Sequence, residues 1–214
     1  MHPVLRLYED ILANDAVVEL PAFARIIFVV HGAMTIAERA FGDGEAWHGA
    51  DAVALSAGPH GATLWRWELA DDVEGGAAAG PGAASRERLA ARLDTLPAGA
   101  LLLRGDSVAF PPGGCAYLHR HQGPGVRCLI EGGIRIDTRG RSTSYGPGGA
   151  WYESGPDPVF AQGSADRPSR FIRVMILPLA LMGRSSIEYL NEEDRAKPRS
   201  QQYKVFVDAP IAIP

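Results

Sequence analysis

Short apolar, β-branched runs separated by glycine turns recur along most of this chain, and that rhythm restricts its fold more than any other feature. Runs at 25–31, 33–39, 52–56 and 63–69 follow one another, with Gly32, Gly42, Gly44, Gly58 and Gly61 among and between them. The same pattern resumes at 100–103, 107–110, 115–121, 126–130 and 134–137, and again at 150–153, 158–162 and 170–177. Many short strands at this spacing bury their inner faces by closing into a sandwich or small barrel.

The two series are related to each other. Residues 25–36 (RIIFVVHGAMTI) lie over 127–136 (RCLIEGGIRI) when Gly32 and Gly132, read as hairpin glycines, are matched. Ala46-Trp47 then meets Ala150-Trp151, Asp51-Ala52-Val53 meets Asp157-Pro158-Val159, and Arg66-Trp67 falls near Arg173-Val174. A match that keeps its order throughout implies two related β units. Between them, residues 70–84 (ADDVEGGAAAGPGAA) have the composition of a flexible connection. Ser85 predicts a helix cap, with Leu89 and Leu93 on one face and Pro97 as the stop. Leu5, Tyr8, Ile11 and Leu12 predict a second short amphipathic helix. The expected organisation is an N-terminal unit over 1–70, a linker and helix over 71–98, and a C-terminal unit over 99–180. An arm over 181–214 is expected to lie across the other half or a partner subunit.

A net charge of −4 and a pI of about 5.9 leave no electrostatic footprint for nucleic acid. No apolar stretch is long enough to span a bilayer, and residues 1–14 carry Arg6, Glu9 and Asp10 rather than a leader pattern. Cys115 and Cys128 match no zinc spacing and are expected as thiols in a reducing cytoplasm. The glycine-rich turns lack the P-loop lysine, and no Gly-x-Ser-x-Gly elbow occurs.

His119 and His121 are the chemically pointed feature. Strand side chains alternate, so a His-x-His pair places both imidazoles on one face. Strict parity would put Cys115 and Tyr117 on that face too, and Arg127 and Leu129 inward on the next strand. An inward arginine is costly without an anionic partner, either a ligand carboxylate or Glu153.

Gly113, five intervening residues, His119-x-His121 and the later Gly132 resemble the first motif of the cupin superfamily, and residues 147–162 (PGGAWYESGPDPVFAQ) resemble the second. The resemblance implies an all-β fold of cupin jelly-roll barrels, two related β units with short flanking helices, of which the first is a degenerate copy. It also implies a divalent metal, iron, manganese or zinc, held by two histidines, a glutamate and a third histidine. Here the glutamate position holds Gly125 or Val126, and the third-histidine position holds Phe160. Glu153 is the expected substitute, with Gln162 as a weaker partner. The expected site is therefore His119, His121 and Glu153 as metal ligands, with Tyr117 and Arg127 orienting a small, anionic substrate for oxygenase-like, isomerase or lyase chemistry in a homodimer. The alternatives are a non-catalytic cupin, either a binder of a small anionic ligand through Arg127 and the histidines or a degenerate scaffold, with a Glu153–Arg127 pair as its sign, and a purely structural dimer.

Overall fold

The computed structural model describes residues 2–71 and 76–213, and these form two compact units that divide between Asp94 and Thr95. Part of the expected linker, residues 72–75, lies outside the described residues.

The first unit contains β1 (Val4–Leu12), β2 (Val17–Leu20), β3 (Ala24–Ile36), β4 (Arg39–Gly42), β5 (Ala46–Gly49), β6 (Val53–Ala70) and β7 (Ala83–Arg92). They make one antiparallel sheet in the order β4-β3-β6-β1-β7, with β2 on β6 and β5 on β3. Both segments expected as helices are strands. In β1, Leu5 and Leu7 on one face and Val4, Tyr8, Asp10 and Leu12 on the other are all buried, which erases the alternation of a half-exposed strand and imitates helical spacing. In β7, pairing with β1 overrides the helical propensity of its Arg, Glu and Leu residues. Arg6–Glu87 at 2.8 Å, Arg88–Glu9 at 3.4 Å and the Ser85–Asp10 hydrogen bond tie the two strands together.

The second unit contains β8 (Leu101–Phe110), β9 (Cys115–His121), β10 (Gly125–Glu131), β11 (Ile134–Thr138) and β12 (Arg141–Tyr145). It continues with β13 (Ala150–Glu153), β14 (Val159–Gly163), β15 (Ser169–Pro178), β16 (Ile187–Tyr189) and β17 (Gln202–Ile211). Two five-stranded sheets result, β13-β10-β15-β8-β17 and β12-β11-β14-β9-β16. Between them pack Phe110, Leu129, Trp151 and Phe171 from one sheet, against Ile134, Ile136, Val159 and Ala161 from the other. Burying each such side chain contributes about 1.5–3 kcal/mol. In the 181–214 segment β16 pairs with β9 and β17 with β8, both within the second unit. The flanking helices amount to the five-residue α1 (Glu192–Ala196) and a 3-10 turn at Leu179–Leu181.

The matched glycines are corners rather than hairpin tips. Gly32 bends the continuous strand β3, and Gly132 carries the chain from the sheet of β10 to that of β11. Both have positive φ, +88° and +80°. A Cβ at Gly32 would stand 2.3 Å from the Gly61 oxygen, and one at Gly132 would stand 2.2 Å from the Pro168 oxygen. Only glycine meets both demands.

Candidate binding site in the second unit

The site is built across the inner face of the β13-β10-β15-β8-β17 sheet. Pairing register aligns Trp151, Arg127, Arg173, Asp106 and Val205 in one cross-strand row. Two arginines directly opposite each other repel unless each has an acid. Arg173 donates from Nε and Nη2 to the Asp106 carboxylate at 2.6 and 3.0 Å. Arg127 Nη2 lies 2.7 Å from Glu153 Oε2, and Arg127 Nη1 donates to the Gly125 carbonyl at 2.6 Å. Burial pulls the Arg127 guanidinium down to about 10, against the support of Glu153, so it stays charged at neutral pH.

Glu153 is positioned on both sides. Its Oε1 accepts from Trp151 Nε1 at 2.8 Å, and the Trp151 ring is itself fixed between Tyr145 and Phe171, at 5.0 and 5.2 Å. Oε2 faces Arg127 as an ion pair but without hydrogen-bond alignment, so it retains the capacity to accept.

The histidines come from the facing sheet. Both are 4% exposed, with ring centroids 4.9 Å apart. Burial lowers the His119 pKa despite the Glu153 charge, and burial together with Arg173 and the neighbouring His119 drives that of His121 well below its usual value. Both are neutral at pH 7. His119 Nδ1 sits 2.7 Å from the Tyr117 carbonyl, which only accepts, so Nδ1 carries the proton and Nε2 offers a lone pair. His121 Nδ1 lies 3.3 Å from Ser186 Oγ, and its Nε2 lies 3.7 Å from Glu153 Oε2.

Tyr117 does not join them. Four residues of β9, Ala116 to His119, lie against three of β14, Ala161 to Val159, and this bulge reverses the parity. Ala116 therefore faces inward, and the Tyr117 ring lies beneath Lys197 Nζ at 4.6 Å. On the strand matched to the third ligand, Val159 and Ala161 are the residues packed into the core, while Gln162 Nε2 bonds the carbonyls of Gly113, Gly114 and Gly163. Cys115 and Cys128 form no disulfide.

Residues not singled out from the sequence complete the lining. Arg173 was visible as a charge inside the apolar stretch 171–177, whereas Gln201 carried no signal, since only chain return through β17 brings it here. Gln201 is 8% exposed, and neither its Oε1 nor its Nε2 has a partner; the Tyr189 hydroxyl is likewise buried and unsatisfied. With His119, His121, Arg127, Glu153 and Tyr203, Gln201 encloses a space of about 20 Å³, room for roughly one water.

No family model matches the chain, and no curated protein is similar to it in sequence. Solved structures are similar in fold. One structure of oxalate decarboxylase from Bacillus subtilis, a protein with Mn(II) centres, superposes with a TM-score of 0.63 at 13% identity, over 90% of this chain and 73% of that one. A mutant of the same enzyme gives 0.60 at 15% identity over the same shares. The fold is that of a cupin. Sharing a cupin fold with a manganese protein raises the question of whether the residues here suit a metal. Among the described residues, no three His, Cys, Asp or Glu side chains come together as a set able to hold an ion. The carboxylate that would complete the histidine pair is turned to Arg127. At Gly125, one of the two positions matched to the glutamate, a Cβ would stand 2.5 Å from the Val174 oxygen and 2.6 Å from Met175 Cγ, so no larger side chain fits there without a shift.

Proposed function

We propose that the protein is a metal-independent cupin that binds a small polar molecule inside the barrel of its second unit. The observation that carries this is the 2.7 Å approach of Arg127 to Glu153, which supplies the carboxylate's counter-charge from the protein itself. The groups left for a ligand are acceptors at His119 Nε2 and Glu153 Oε2, and an amide at Gln201 able to donate and accept. A buried, unpaired amide costs about 1–3 kcal/mol for each group left unmet, and a ligand's polar end would recover it. Arg127 is not the anchor for an anion, because Glu153 and the Gly125 carbonyl already engage it.

The second reading is a metal-dependent oxygenase, isomerase or lyase using iron, manganese or zinc through His119, His121 and Glu153. It is favoured by the Tyr117 carbonyl, which fixes His119 in the tautomer a ligand histidine adopts, and by the likeness to a Mn(II) protein. Elemental mass spectrometry decides between them, on tag-free protein incubated anaerobically with iron(II), manganese(II) and zinc(II) and then desalted. Metal far below one ion per chain is expected. Near-stoichiometric metal, lost in His119→Ala and Glu153→Ala, would overturn the metal-independent reading and establish the second.

A further inference from the structure

We propose that a separate outer cavity of the second unit binds the anionic group, carboxylate or phosphate, of a small organic molecule through Arg184 and Arg199. The cavity measures about 320 Å³, at the lower end of the range for metabolite pockets. Four arginines and two aspartates line it: Arg104, Arg173, Arg184 and Arg199 against Asp106 and Asp208.

Both acids are already committed. Asp106 takes two hydrogen bonds from Arg173. Asp208 accepts from Arg104 Nε and Nη2 at 3.0 and 2.9 Å, and from the Gly183 amide at 2.7 Å. The surplus positive charge therefore belongs to Arg184 and Arg199, neither of which has a carboxylate partner among the described residues.

The cavity wall is also fixed in place. Arg104 donates from Nη1 to the Arg184 carbonyl at 2.6 Å and from Nη2 to the Leu181 carbonyl at 2.7 Å, so the turn carrying Arg184 is bonded to β8. The Arg199 guanidinium rests on the Tyr189 ring at 5.5 Å. Ser185 adds a hydroxyl to the same wall, whereas that of Ser186 is turned to His121 and Met175. Two planar guanidinium groups lining one space, with a hydroxyl beside them, match the oxygens of a carboxylate or phosphate. Arg173 and Tyr203 line both this cavity and the barrel interior, whereas Arg184 and Arg199 line only the outer one.

Isothermal titration of the full chain with inorganic phosphate and with succinate tests the assignment and tells the two anion chemistries apart. Expected is saturable binding of at least one probe, weakening as sodium chloride is raised. The exposed double variant Arg184→Gln/Arg199→Gln should bind it about tenfold more weakly or worse. Arg141→Gln, an exposed charge control on β12, should bind as the parent does. Parent protein that binds neither probe, or a double variant that binds as tightly as the parent, would overturn the proposal.

Discussion

Arg127 and Arg173 sit opposite each other on neighbouring strands, so the interior tolerates them only as long as both acids stay in place. Replacing Arg127 with Ala leaves Glu153 buried without its counter-charge and should cost about 3–5 kcal/mol. Arg127→Met/Glu153→Leu, which removes both charges, should recover much of that loss; urea denaturation of the three proteins measures it. The histidines predict an acid-side weakness. Their folded-state pKa values lie below that of an exposed histidine, mainly through burial. As pH falls below about 6.5, the unfolded chain takes up protons that the folded chain refuses, at about 1.4 kcal/mol per unit of pKa difference. Stability should therefore fall from pH 7 to pH 5 in the parent, and fall less in His119→Gln/His121→Gln. A parent whose denaturation midpoint is flat over that range would contradict the neutral assignment.

At the scale of elements, glycine corners and a bulge aim the strands. Gly132→Ala introduces a Cβ into carbonyl contact at a positive φ, and a loss of about 2–4 kcal/mol is expected in thermal or urea unfolding. The β9 bulge explains why simple alternation from His119 failed for Tyr117: one extra residue between Ala116 and His119 turns every earlier side chain of the strand to the other face. Alternation held for Arg127 and Leu129, because β10 pairs with β15 in continuous register from Gly125 to Leu129. Strand β17 is a further element whose role was not legible. Residues 203–207 read as strand-like, but the sequence does not say where they pair: β17 lies along β8, a strand with nearly every residue buried, and delivers Tyr203 to the site.

At the scale of the molecule, the two units repeat an internal ionic arrangement as well as a strand order. Arg25 and Arg66, the partners of Arg127 and Arg173 in the sequence match, are also fully buried. Glu68 lies 2.9 Å from Arg25 and 2.6 Å from Arg66, and Asp10 accepts from Arg66 at 2.7 Å. The first unit has thus kept the charged interior without the histidine pair. On the proposed metal-independent reading, these ion pairs leave a bound cation nothing to add to stability. Its melting temperature should be unchanged by a chelator and by added manganese, whereas a resident metal would raise it by mass action. Differential scanning calorimetry with and without chelator is the check.

Glycine spacing, β-branched runs and the ordered repeat determine an all-β chain of two related units, and the His-x-His pair determines which unit presents imidazoles inward. These are local properties, carried by steric limits on φ and by the two-residue period of a strand. Whether the carboxylate at 153 meets a cation or the guanidinium at 127 depends on strand register and on distances of a few tenths of an ångström. The appearance of Gln201, Arg184 and Arg199 beside the barrel depends on where a distant strand pairs. Only the tertiary structure decides those, because hydrogen-bonded pairing between residues as far apart as Val108 and Tyr203 is set by the cooperative burial of both sheets and not by any local pattern.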